Sequence, residues 1–331
     1  MSRCVRDHRW SRMAEVTALA FAIAGGGSVL GQMPIPGGDL HPYAVPKYVA
    51  PLVKPPAMPQ KSNKGKGPFK NKNKDMYKIA VRQFEQQILP SAQADGTLIP
   101  PTTVWSYGPE NEVDPDGTGT HVSEGGHFFY PAFTIEATHG KTVQVIWSNG
   151  LVDGAGNPLP HIIPVDPTLH WANPIGASRD HRPPFDPLDP YWQNPYINFV
   201  DVGGPKPVPM YDGPVPIVTH VHGAHTYEQF DGYPEAWYLP ASAYNDPSIV
   251  YPTGTLYDYY NTKYGENWAP GTSSFKYPND QRATTLWYHD HTLGMTRVNV
   301  YAGPAGFYLI RGGVDDMVKT IDPDSGNTVH A

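Results

Sequence analysis

The chain of 331 residues contains one cysteine, Cys4. A single thiol rules out a disulfide framework within the chain, and its place at the extreme N-terminus leaves no thiolate metal site in the folded part. Charge is sparse as well. Only 17% of residues are charged and the net charge is −7, so no global basic footprint points to nucleic acid as a partner. Long helices have little room among 38 prolines and 33 glycines, residues that break or weaken helix interiors. No sustained helical period and no internal repeat stands out. Long apolar runs are missing too. The apolar stretch from Val16 to Ala24 falls well short of the ~20 residues that cross a bilayer, so no stable membrane span is expected.

What is present divides into four segments. Arg3, Arg6, Arg9 and Arg12 precede that apolar stretch, and small residues lead to Gly31, the pattern of a signal peptide over residues 1–31. No adjacent arginine pair marks a twin-arginine signal, which favours the general export route to the periplasm or the exterior. Residues 32–75 are rich in proline and then lysine, a composition expected to stay extended and disordered as a linker. The lysine run from Lys61 to Lys74 reads as a solvated tether. A folded domain is expected over residues 76–313, followed by a polar tail or interdomain linker over 314–331.

Within the folded region the pattern is that of strands. Tyr77, Ile79, Val81 and Phe84 open it with a mostly alternating run, and Thr102–Tyr107 gives a second strand. Ala132–Ala137 and Thr142–Trp147 form the best candidate pair, with His139-Gly140 between them as a hairpin signal. Many short strands with Gly, Pro and Asn punctuation predict an all-β sandwich or barrel. The proline-rich stretch 151–213 and the Tyr-, Asn-, Pro- and Gly-rich stretch 240–280 read as long loop insertions, functional walls in a compact domain. Residues 297–310 read as a turn followed by a last core strand, after which the sequence turns polar and irregular.

Two histidine pairs carry the chemistry: His220-Val221-His222 and His289-Asp290-His291. In a strand, residues two apart point to the same face, about 7 Å from each other. One ion rarely takes both members of such a pair. Two neighbouring ions, each completed from another strand, fit better, and if the two strands are neighbours four imidazoles converge. Imidazole suits copper, zinc, iron and nickel, so ligand type narrows the metal without naming it. His225, three residues past His222, is read as a solvated loop residue. Trp287 and Tyr288 are read as walls or core rather than electron carriers.

The motifs Thr219-His-Val-His-Gly223, Asp231-Gly-Tyr-Pro-Glu-Ala-Trp237, Tyr277-Pro-Asn-Asp-Gln-Arg282 and Leu286-Trp-Tyr-His-Asp-His-Thr292, running on to Gly303, closely resemble the first cupredoxin (plastocyanin-like) domain of multicopper oxidases. The bacterial spore-coat laccase and bilirubin oxidase branch is the nearest. The resemblance spans roughly residues 77 to 313, in the family's order. It implies a Greek-key cupredoxin-like β-sandwich, with His220 as ligand of a type 2 copper and His222, His289 and His291 as ligands of a type 3 pair. It further implies dioxygen as a partner, reduced to water with four electrons, and a small reducing substrate such as a phenol, a bilirubin-like pigment or a metal ion. Asp231 matches an acidic residue that assists proton delivery, a role a carboxylate can fill; Glu235 is assigned a structural part. A cupin, an amidohydrolase barrel and a metallo-β-lactamase each require an acid, a helix alternation or a first histidine that this sequence does not place correctly.

The departures matter equally. The family's later domain supplies a His-Cys-His motif and further histidines, and no such motif is found here; a type 1 copper needs a cysteine thiolate. The expectation is half a trinuclear site without the type 1 site, in a chain that is either a truncated product or one half of a split enzyme completed by a cysteine-bearing cupredoxin domain from another chain. The other reading is a non-catalytic copper-binding or interaction module. The separation of 69 positions from His220 to His289 implies an insertion.

Overall fold

A computed structural model describes residues 40, 42–60, 74–110, 121–122, 128–167, 169–176, 179–180, 211–313, 319–321 and 328–330. The signal-like segment, the lysine run over 61–73 and residues 181–210 lie outside these. The chain divides into two units, residues 1–49 with 92–99, and residues 50–91 with 100–331. In the first, Ala92 and Leu98 form an isolated bridge around a turn in which the Asp95 carboxylate accepts the Thr97 N–H at 2.9 Å.

The second unit is all-β, as expected, and is built on two mixed sheets. Strand β1 (Lys74–Gln86) pairs antiparallel with β2 (Thr102–Pro109) and parallel with β5 (Thr142–Asn149), which pairs antiparallel with β7 (Thr272–Tyr277). The two-residue β3 (His121–Val122) runs parallel to the end of β1. The second sheet has the order β4 (Ala132–Thr138), β9 (Ala305–Arg311), β8 (Thr284–Asp290), β6 (Thr219–His222). Alternation on each strand turns one face inward: Tyr77, Ile79 and Val81 from β1, Val143, Val145 and Trp147 from β5, and Ile135, Tyr288 and Tyr308 from the other sheet are all buried. Between the sheets, Tyr107, Trp147 and Tyr288 form a mutual aromatic cluster with ring centroids 5.1–5.4 Å apart, a spacing typical of favourable offset and edge contacts.

Several expectations are corrected. Strands β4 and β5 are joined by the predicted turn at His139-Gly140, where Gly140 takes φ 71°, yet they are not a hairpin. The turn carries the chain from one sheet to the other, β4 pairing parallel with β9. Turn chemistry specifies a reversal, and the choice of sheet depends on which partner edges are available. The stretch 240–280 is not only loop. It holds helix α1 (Thr255–Tyr264), closed by Gly265 in the left-handed region as helix ends favour, and then β7. The helix buries Tyr257 and Tyr260, too few positions to print a period. Likewise the turn expected at the start of 297–310 is helix α2 (Thr296–Ala302).

The proline-rich linker also packs at one point. Met58 is buried in the core, and its N–H bonds Thr134 O while Thr134 N–H bonds Pro56 O, both at 2.8 Å, so residues 56–58 cover the free edge of β4. Beyond β9, β10 (Lys319–Ile321) and β11 (Thr328–His330) pair antiparallel where irregular chain was expected. Their β-branched residues favour that pairing.

His161 is packed between the rings of Trp105 and Tyr211, at 5.9 and 5.3 Å, and its Nε2 has no hydrogen-bond partner. Burial pulls its pKa down to about 4. The folded state therefore resists a proton that the unfolded chain accepts from about pH 6.5 downward. Stability is full above that pH and falls as pH drops towards 4, by on the order of 3 kcal/mol from this one group. A His161→Phe variant is expected to lose correspondingly less stability between pH 6.5 and 4 in denaturant melts. Parallel pH profiles for the two proteins would remove this account.

Candidate metal centre

The centre is built by β6 and β8. The strands pair antiparallel with His220 opposite His289, His222 opposite Trp287 and Thr219 opposite Asp290. This register sets the two histidine pairs against each other on one face, since His220, His222 and His289 occupy alternating or directly opposed positions. His291 lies one residue past β8, and its N–H bonds Val218 O at 2.8 Å, which carries the pairing beyond the strand end. Prolines 214 and 216 precede β6, which begins only at Thr219.

The four imidazoles converge as expected. Ring centroids lie 5.6 Å apart for His220 and His222, 5.6 Å for His220 and His289, 4.9 Å for His220 and His291, and 5.7 Å for His222 and His289. The tightest group is His220, His222 and His289, each offering a nitrogen within 4.8 Å of the others. His291 flanks that group.

Hydrogen bonds decide which nitrogens are offered. A carbonyl can only accept, so the 2.5 Å contact of His220 Nδ1 with Asp231 O and the 2.7 Å contact of His289 Nδ1 with Asp290 O place a proton on both Nδ1 atoms. Their Nε2 lone pairs are left for a ligand. His222 Nδ1 stands 3.4 Å from His289 Nε2. His291 Nδ1 is buried without a partner. Burial holds the pKa of His289 down at about 4, with the neighbouring histidines adding to it, and burial with His220 lowers that of His291. For His220 burial also opposes the charge, but the hydrogen bonds and charge of Asp231 outweigh it and raise the pKa.

Asp231 ends a short 3-10 turn, Glu228–Phe230, and its carboxylate lies 3.4 Å from His220 Nδ1, about one-third exposed. Glu235 sits in the next 3-10 turn, Pro234–Ala236. Trp287 stacks on His289 at 4.0 Å and on His222 at 5.5 Å, a wall of the site, while Tyr288 packs the core. His225 is two-thirds exposed and paired with Asp280 at 3.2 Å, away from the cluster.

Sequence reasoning missed Asp290. This carboxylate is fully buried and accepts from Val218 N–H, Thr292 N–H, the Thr292 hydroxyl and the Asn299 amide at 2.9–3.2 Å. Burial nonetheless pushes its pKa up to about 6. It clamps together the approach to β6, the end of β8 and helix α2. The alternation rule held the clue, because a residue between two same-face histidines must point the opposite way, into the core.

A two-sheet β domain thus brings an imidazole cluster together on paired strands, in a geometry that could hold a metal ion. No family model matches the chain, but curated relatives do. A laccase from Bacillus stratosphericus is 30% identical over 241 residues, 73% of this chain and 30% of that protein. One from Bacillus subtilis (strain 168) is 26% identical over 249 residues, 75% of this chain and 32% of its own. A laccase from Haloferax volcanii is 30% identical over 239 residues, covering 71% and 27%. The chain belongs to the multicopper oxidase family and spans about a third or less of the length of these relatives. Among solved structures, a multi-copper oxidase from Pediococcus acidilactici is 17% identical with a TM-score of 0.39, covering 90% of this chain and 34% of that one, a likeness too slight to argue from.

Proposed function

We propose that this chain is the copper-binding first domain of a laccase- or bilirubin oxidase-like multicopper oxidase, supplying half of a trinuclear copper cluster. His220 would hold a type 2 copper, and His222, His289 and His291 would ligate the type 3 pair. The observation that carries this reading is the 3.4 Å between His222 Nδ1 and His289 Nε2. Two imidazole nitrogens each about 2.0–2.1 Å from one tetrahedral ion would stand that far apart. The partnerless, buried Nδ1 of His291 adds a further donor in want of a ligand.

When bound, copper would supply the redox chemistry by which dioxygen is reduced to water at the expense of a phenol, a bilirubin-like pigment or a metal ion. The chain's own residues then have defined tasks. His220 and His289 present Nε2 while their Nδ1 protons are held by main-chain carbonyls. Asp231, with a carboxylate open to solvent beside His220, would pass protons inward. Trp287 shields one side of the imidazoles from water.

The remaining ligands and a type 1 site would come from a cysteine-bearing cupredoxin domain. The face beside the histidines suits such docking: a cavity of about 660 Å³ is lined by Ile88, Tyr130, Trp287, His289, Val300 and Tyr301. Trp287, Tyr301 and Phe307 are large apolar groups left exposed, as expected of a surface awaiting a partner. The protein would act outside the cytoplasm, as its N-terminal segment suggests.

Copper stoichiometry and oxidase turnover of the purified chain, alone and with a cysteine-bearing cupredoxin fragment from the same source, test this reading. Alone, the chain is expected to bind copper weakly, without an intense blue thiolate band and with background phenol oxidation. Restored turnover on mixing supports the proposal. Tight copper binding without turnover would select a non-catalytic copper-binding module, and strong blue colour from the chain alone would overturn the half-site assignment.

A further inference from the structure

We infer that the main chain at Asp231-Gly232, rather than the Asp231 carboxylate, determines which nitrogen of His220 faces the centre, and that Gly232 is the positioning residue that makes this possible. The two candidate partners of His220 Nδ1 come from the same residue. The carbonyl oxygen of Asp231 stands at 2.5 Å and the carboxylate oxygen at 3.4 Å. The first is a short, direct hydrogen bond and the second lies beyond good N–H···O geometry. A carbonyl has no proton to give, so it enforces the Nδ1–H tautomer at every pH at which the imidazole is neutral. A carboxyl group does not enforce it in the same way, because once protonated its O–H could donate to Nδ1 instead.

Access of this carbonyl to β6 depends on a missing side chain. Gly232 has φ 77°, a conformation that L side chains rarely adopt. A Cβ built there would stand 2.1 Å from Thr219 O and 3.0 Å from His220 Cα, and both are main-chain atoms that cannot swing aside. Any other residue at 232 must lift the 231–232 segment off β6, taking the Asp231 carbonyl away from His220. The incoming segment is held on its other side by the Asp231 N–H to Glu228 O bond of 3.3 Å, which ends the 3-10 turn. Backbone conformation therefore fixes the imidazole, and the Asp231 side chain stays free for other work. For the effect on metal binding this inference rests on the copper reading above; for the tautomer it does not.

The test separates the two. Long-range proton–nitrogen correlation spectra of the metal-free full chain at about pH 9, where imidazoles are neutral, report the tautomer of each histidine, with His220 assigned by its loss in His220→Gln. The wild type is expected to show His220 as the Nδ1–H tautomer. Asp231→Asn, which keeps the carbonyl, is expected to preserve it. Gly232→Ala is expected to give a mixture of tautomers and a copper affinity lower by roughly 10- to 100-fold, the usual cost of losing a partner that orients a ligand. An Nε2–H tautomer in the wild type overturns the inference, as does loss of the Nδ1–H form in Asp231→Asn. A folded Gly232→Ala protein with unchanged tautomer and affinity also overturns it. Should Gly232→Ala fail to fold, the first two measurements decide. A preserved tautomer with no copper binding would sink the copper reading and leave this one standing.

Discussion

Replacing His220 and His222 together by alanine is expected to abolish copper uptake by the metal-free chain. The pair supplies two of the three nitrogens that approach within 4.8 Å of one another. What remains, His289 on β8 and His291 one residue past its end, is a pair from one segment with no imidazole left opposite it on β6. Each lost imidazole also removes a ligand from a different metal position in the proposed assignment, so neither position is left complete. The fold should survive, because both side chains reach the surface and only one, His220, gives up a main-chain hydrogen bond, a loss of about 1 kcal/mol. Equilibrium dialysis with copper(II), alongside circular dichroism, reads both outcomes. His225→Ala serves as the control, since that ring is paired with Asp280 outside the cluster. Unchanged uptake in the double variant would remove the site assignment altogether.

Asp290→Ala is expected to be the most destabilising single change near the site, costing about 3–5 kcal/mol through stranded donors. Four donors converge on this carboxylate, and their fates differ. The Thr292 hydroxyl and the Asn299 amide each have Pro216 O within 3.2 Å as a second acceptor. The N–H groups of Val218 and Thr292 have no such alternative among the contacts described, and both would be buried without a partner. Asp290→Asn keeps the shape but turns an amide N–H₂ towards donors, so it is expected to cost about half as much. Urea unfolding of the three proteins at pH 7 measures the order. An alanine variant as stable as the wild type would show that the buried carboxylate does not hold β6, β8 and α2 together.

The parts of this molecule legible in the sequence were those that depend on local periodicity. Two His-X-His pairs flanked by β-branched and aromatic residues read as strands with same-face imidazoles, because side-chain direction alternates wherever a strand forms. The alternation of Tyr77, Ile79 and Val81 marked β1 for the same reason. Helices α1 and α2 escaped notice because each is short and buries only two or three side chains, which leaves no repeat to detect. Met58 escaped because one apolar residue among prolines carries no pattern at all. The cysteine content, likewise local knowledge, excluded a thiolate centre from the folded part before any coordinates.

Other features depend on which edges meet. That β6 lies beside β8, with His220 facing His289 rather than shifted by a residue, could be stated only conditionally. A slip of one position would turn a whole set of side chains to the opposite face, and nothing within either strand specifies its partner's register. The turn at His139-Gly140 is the same case, since the reversal was visible and its destination in the other sheet was not. Composition and periodicity thus determined the class of fold, the imidazole chemistry and the face on which each pair lies. Tertiary structure alone decided that the two faces coincide, that Asp290 clamps them from behind, and that the Asp231 carbonyl reaches His220 across Gly232. These are contacts between segments 9 to 72 residues apart, and their free energy comes from packing that no single segment encodes.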